Sequence, residues 1–180
     1  SPITHHSSPM VENRTNPFNP QAPAVQRTLR DLTTPWKFRL FVLRKLPTLA
    51  FWGVRVKSLT PERCEITIPY GWRSQNPFRS MYFAAQCGAA ELSTGLISIL
   101  TLQGRGRISM LITNVEAEFT KKADQFTTFT CEEGEKIRQA VQRAVDTGEG
   151  QQVRVLSTGV QADGTVVSRL YFTWSFKLKS

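Results

Sequence analysis

The longest apolar pattern in this chain lies over residues 76–104, NPFRSMYFAAQCGAAELSTGLISILTLQG. Asn76-Pro77 opens it as a turn, Ser80 is placed to cap a helix, and Gly104 to stop one. The roughly 24 residues between these signals would make a helix of about 35 Å. A surface helix carries one apolar stripe, whereas this stretch is small or apolar nearly all round, as a buried helix is. Its first half is crowded with Ala84, Ala85, Cys87, Gly88, Ala89 and Ala90, side chains small enough to let other backbone come close. The pattern predicts a central helix over 80–103 that a sheet wraps tightly. Glu91 sits in its middle, the single acid between Glu65 and Glu116.

The rest of the chain changes period around that helix. Residues 1–27 are rich in Pro, Asn, Ser and Gln, show no periodicity and read as a flexible or wrapped arm, followed by one domain over 28–180. Residues 32–49 read as one amphipathic helix, capped at Thr33/Thr34, with Trp36, Leu40 and Leu43 at helical spacing. That stripe either packs on the sheet, the reading preferred here, or docks on a membrane surface. Alternation over 54–59 and 63–68, with Thr60-Pro61-Glu62 between them, predicts a hairpin. Strands follow over 108–121 and 126–132, then a second amphipathic helix over 134–147 with Gly148 as its stop. Residues 153–162 and 166–178 form a last hairpin, for which Asp163-Gly164 signals a type I′ turn. Six mostly long antiparallel strands and one buried helix after the second make an α+β fold, a curved sheet around a helix.

Composition narrows the chemistry. The net charge is +9, with small clusters at Lys37/Arg39, Arg44/Lys45, Arg105/Arg107, Lys121/Lys122 and Lys177/Lys179. Such a balance suits a phosphate-bearing small molecule, anionic lipid or nucleic acid, although most of these cations read as solvated surface. No recognition helix, zinc knuckle or aromatic RNA-binding motif accompanies them, so nucleic acid is not expected. No run of 18 apolar residues predicts a membrane span. Three cysteines, Cys64, Cys87 and Cys131, are odd in number and far apart, which suits a reducing cytosol and gives no zinc site. Both histidines, His5 and His6, lie in the arm, so no Ser-His-Asp or Cys-His nucleophilic site is expected within the domain.

The order hairpin, buried helix, four strands resembles the hotdog fold. The run from Asn76-Pro-Phe-Arg-Ser-Met-Tyr82 to Ala90-Glu91 resembles the active-site segment of hotdog acyl-CoA thioesterases, in the form closest to the tetrameric branch. Their pattern is an Asn, a His-Gly-Gly six residues on, and an acid nine residues beyond that His. Asn76 and Glu91 match at this spacing, while Tyr82-Phe83-Ala84 stands where His-Gly-Gly would be. The resemblance implies hydrolysis of acyl-CoA or acyl-carrier thioesters in the cytosol by a homodimer or homotetramer. It implies no metal or separate cofactor, coenzyme A being part of the substrate.

The same residues suggest roles. Backbone N–H groups of Phe83 and Ala84, near the helix start, survive a side-chain change and can polarise a carbonyl. Glu91 is either general base or nucleophile, or else pairs with a buried Arg or loop N–H. Cys87, Glu91, Thr94 and Ser98 share one helix face, and Thr94 is placed to hold a water or steady the Glu91 carboxylate. Asn76 either positions the water or caps the helix. Tyr82 reads as a pocket wall, and Arg105 and Arg107, with Lys121 and Lys122, as candidates for coenzyme A phosphates.

Overall fold

Helix formation begins inside the stretch expected to be an arm. The computed structural model describes residues 17–179, so the arm reading for residues 1–16, His5 and His6 included, lies outside the described residues. Helix α1 (Pro23–Thr33) starts on a proline, which suits a first helical turn, and buries Val25 and Leu32. Helices α2 (Pro35–Lys45) and α3 (Pro47–Trp52) follow directly. The single helix expected over 32–49 is therefore three pieces. Thr34 and Leu46 each precede a proline and leave the helical region, with ψ 115° and φ −141°, because the proline ring clashes with a helical predecessor. Gly53, at φ 76°, ends α3 in the left-handed region.

The six strands are β1 (Arg55–Leu59), β2 (Cys64–Ile68), β3 (Ile108–Phe119), β4 (Thr127–Cys131), β5 (Gln151–Gln161) and β6 (Val166–Leu178). They form one antiparallel sheet in the order β1-β2-β4-β5-β6-β3. In β1–β2 the Thr60 hydroxyl accepts the N–H groups of Glu62 and Arg63, closing the predicted hairpin. The β5–β6 turn differs from the expected type I′. Gly164 N–H donates to Gln161 O, and only Gly164 takes positive φ, 87°, so Ala162 and Asp163 form an ordinary turn followed by a left-handed glycine. Cys64 and Cys131, remote in sequence, are direct cross-strand neighbours and remain free thiols.

Helix α4 (Phe83–Leu102) is the core, with thirteen of its twenty residues buried, as the hotdog resemblance implies. By length and composition it could cross a membrane, but here most of it is buried inside the fold. Ile66, Ile68, Phe129, Leu170 and Phe176 of the sheet close over Leu96, Ile97 and Leu100, all without exposure. Tyr82, not Ser80, takes the N-cap position. Helix α5 (Gly134–Thr147) has the predicted bounds and buries Ile137, Ala140, Val141, Ala144 and Val145. Gly134 is required there, since a Cβ would stand 2.1 Å from Pro61 O.

At Gly88 the close neighbours are side chains rather than the expected backbone: a Cβ would meet Leu49 Cδ2 at 2.7 Å and Trp52 Cζ3 at 3.1 Å, both on α3. A Gly88→Leu substitution should therefore push α3 off α4 and cost about 3 kcal/mol, seen as a lower Tm. Melting unchanged from wild type would show that α3 yields without loss.

Candidate active site

The loop that delivers the chain to α4 is held by Asn76. Its Oδ1 accepts the N–H groups of Phe78 (2.9 Å) and Ser80 (3.2 Å), and its Nδ2 donates to Ser80 Oγ. The main chains of Asn76 and Ser80 also bond, and Arg79 between them takes φ 58°. Three side-chain bonds from the amide hold the loop, so Asn76 shapes the approach to the helix. Met81 N–H donates to Ala123 O and Tyr82 N–H to Ser74 O, which fixes the first turn of α4 against its neighbours. The N–H groups of Phe83 and Ala84 then have no acceptor among the described residues. They open the helix at its positive end.

A cavity of about 410 Å³ lies at this helix start, lined by Asn76, Phe83, Gln86, Phe119, Lys121 and Lys122, among others. The rings of Tyr82, Phe83 and Phe119 meet edge to face there, at centroid distances of 4.9 and 6.4 Å. Phe83 lines the cavity, whereas Tyr82, expected as a pocket wall, is exposed beside it and is not among the lining residues. The structure thus brings together Asn76, Phe83 and the Lys121/Lys122 pair, with Ala84 and Tyr82 on the adjoining turn.

Glu91 stands eight residues beyond Phe83 on the same helix, about 12 Å along its axis. Its carboxylate has no hydrogen-bond or ion-pair partner among the described residues, which removes the alternative of a buried Arg or loop N–H. Burial pushes its pKa up to about 7. Gly95 makes space for it, since a Cβ there would come within 3.2 Å of Glu91 Oε1 and 3.6 Å of the Trp174 ring. The carboxylate therefore lies on the β6 side of α4.

Thr94 takes a different part from the one expected. Its hydroxyl donates to the main-chain oxygen of Glu91 at 2.9 Å and accepts Trp174 Nε1–H at 2.9 Å, so it anchors α4 to β6 and its proton is spent on the main chain rather than on the Glu91 carboxylate. Arg105 is also elsewhere. It is 5% exposed, donates to Gln142 Oε1 on α5, and its pKa is lowered by burial against the pull of Asp146. It follows the far end of α4, about 30 Å from the cavity, so it does not serve that mouth. Arg107 is exposed at the same far end, just before β3. The cations at the mouth are Lys121 and Lys122. Sequence reading missed Gln86, buried at the cavity, where it donates to Met81 O and accepts from Ser168 Oγ; a polar residue among alanines is the signal that could have found it. Among the described residues no His, Cys, Asp and Glu cluster could hold a metal ion.

Comparison with known proteins places this geometry. The family described as "Domain of unknown function (DUF4442)" matches residues 34–176. No curated protein matches the chain. Among solved structures, a probable thioesterase of Pseudomonas aeruginosa aligns with TM-score 0.66 and 18% identity, over 82% of this chain and 98% of that one. A Haemophilus influenzae thioesterase aligns with TM-score 0.60 and 12% identity, over 82% and 93%. A thioesterase enzyme of Staphylococcus aureus aligns with TM-score 0.57 and 14% identity, over 72% and 97%. At these identities the likeness establishes the shared fold.

The raised Glu91 pKa has a stability consequence of definite sign. Below pH 4.5, its ordinary value, the group is protonated folded or unfolded and costs nothing. As pH rises toward 7 the unfolded carboxyl ionises first, so the folded state loses stability relative to it. Glu91→Gln, which mimics the protonated form, should melt like wild type in acid and gain at most about 3 kcal/mol above neutrality. A variant less stable than wild type at every pH would mean that the carboxylate is held by a favourable contact.

Proposed function

The chain belongs to the DUF4442 family and has the hotdog fold, and from that premise we propose that it hydrolyses acyl-CoA thioesters. The observation that carries this reading is an unpartnered carboxylate with pKa about 7 on the helix whose start presents two unpaired N–H groups. A base poised near neutrality can take a proton from water without histidine. The water oxygen adds to the thioester carbonyl, whose developing negative charge rests on the Phe83 and Ala84 N–H groups. Collapse of the adduct breaks the C–S bond, and the carboxyl of Glu91 returns its proton to the leaving thiolate. The acid product and free coenzyme A result. Asn76 acts as a positioning residue for the helix start, and Lys121 and Lys122 face the phosphates.

The roughly 12 Å between Glu91 and those N–H groups is too long for one carbonyl to touch both within a single copy. A second copy completes the site. Strand β3 supports this: it pairs with β6 on one side, no described strand covers the other, and Leu111, Val115 and Phe119 are exposed on it. An uncovered twelve-residue edge with apolar side chains favours association. Two copies joined along β3 would turn Glu91 of one toward the helix start of the other, in a homodimer or a dimer of dimers.

Thiol release across acyl-CoA chain lengths tests the activity. Glu91→Gln should lower kcat by about 100-fold or more with the fold retained, and the acid limb of the wild-type rate should fall near pH 7. Tyr82-Phe83-Ala84 in place of His-Gly-Gly favours a second reading, acyl binding without turnover. Acyl-CoA bound by the wild-type protein with no thiol released would select it. For the assembly, Val115→Lys should give a monomer by light scattering and lose turnover with it. A wild-type protein that is monomeric at micromolar concentration would end the shared-site reading.

A further inference from the structure

Helix α2 is apolar on two faces. One buries Phe38 and Val42 in the core. The other turns outward the stripe read from the sequence as packed on the sheet: Trp36 is 66% exposed, Leu40 38% and Leu43 59%. A surface helix normally shows solvent a polar face, so this second apolar stripe needs an occupant. Phe51 and Trp72, packed edge to face at 5.7 Å, are exposed as well.

The charge around the stripe has one sign. Residues 32–61 contain no Asp or Glu, and Lys37, Arg39, Arg44 and Lys45 all lie on α2. Lys37 alone is answered, by Asp31 at 2.6 Å. Beside α2 runs a groove of about 480 Å³, lined by Trp36, Arg39, Arg55 and Arg73 over a floor that includes Phe38 and Val42. No acid lines it, and none of the three arginines has an ion-pair partner among the described residues. The groove shares Gly53, Arg55, Val56 and Arg73 with a second recess of about 620 Å³.

We propose that the α2 face and the arginine groove beside it dock this protein on an anionic lipid bilayer, with the lipid phosphates received in the groove. Tryptophan and leucine enter the boundary between headgroups and acyl chains, and cations beside them meet the negative surface. Guanidinium groups match phosphate oxygens in pairs. A second copy is the wrong occupant, because a symmetric contact through this face would set unanswered cations against like cations. The groove shares no residue with the cavity at the start of α4, so the inference does not rest on the hydrolase reading. It does give the arm-side helices a purpose, since long-chain acyl thioesters concentrate at membranes.

Co-sedimentation of the full chain with phosphatidylcholine vesicles, with and without phosphatidylserine, tests the proposal. The protein should pellet only with the anionic vesicles, and high salt should release it. Arg39→Gln with Arg73→Gln should weaken association at least tenfold, and Leu40→Ser with Leu43→Ser should do the same. All four positions are exposed, so circular dichroism and thiol release should stay as in wild type. Glycerophosphoserine in solution should not compete. Competition by it or by inorganic phosphate would make the groove a free-anion site and overturn the proposal. So would equal binding to neutral vesicles, preference for an RNA oligonucleotide over the vesicles, or leucine variants that change the oligomeric state and leave vesicle binding intact.

Discussion

The rotation of α4 inside its sheet is the constraint on which the remaining features depend. A helix apolar on every side has no patterned face to tell it which way to turn. Three buried polar bridges supply that information. Ser93 meets Ser157 of β5 at 2.8 Å, Ser168 of β6 reaches Gln86 at 3.0 Å, and Trp174 of β6 reaches Thr94 at 2.9 Å. Each group would be costly to bury unpaired, so any other rotation of the helix would leave several orphans at once. With these bridges made, Gly88 faces α3 and Glu91 faces the β6 side. The position of the carboxylate follows from the serines and threonine around it.

That arrangement leaves Glu91 as a conflict between stability and chemistry. Every other polar side chain named on α4 ends on a partner, whereas Glu91, partly buried, has none among the described residues. Local disagreement with an otherwise consistent core is what a functional position looks like. The same burial that raises its pKa makes it competent as a base near neutrality.

Much of this was legible in the sequence, for reasons that differ by element. The bounds of α5 and β6 come straight from their strict periods, 3.6 and 2, with a glycine at the turn. The spacing from Asn76 to Glu91 carried the resemblance. The three-piece start was missed because Leu, Phe and Val fill α2 on two faces and hide the breaks that Pro35 and Pro47 impose. Arg105 was misassigned because its partner Gln142 lies 37 residues away, on an element that folds back over the end of α4. Thr94 was misjudged for a like reason, since only the fold places Trp174 beside it. Long-range partners decide what a polar side chain does, and no local pattern announces them.

The excess of positive charge resolves in the same way. Several cations on the sheet and α5 are answered: Arg63 meets Glu65 and Glu132, Arg138 meets Glu62 and Glu135, and Arg154 meets Glu116 while lying over Tyr171. Such exposed pairs add little stability, but they neutralise that part of the surface. Arg39, Arg44 and Lys45 on α2, Arg55 and Arg73 in the groove beside it, and Lys121 and Lys122 at the cavity mouth have no ion-pair partner among the described residues, and the same holds of scattered cations such as Arg143, Arg169 and Lys177. A net charge of +9 spread evenly would say little about partners. Where unpaired cations border an apolar helix face and a cavity rim, the charge gains a neighbour it can act with, and these are the two places where the proposed lipid and thioester phosphates would be received.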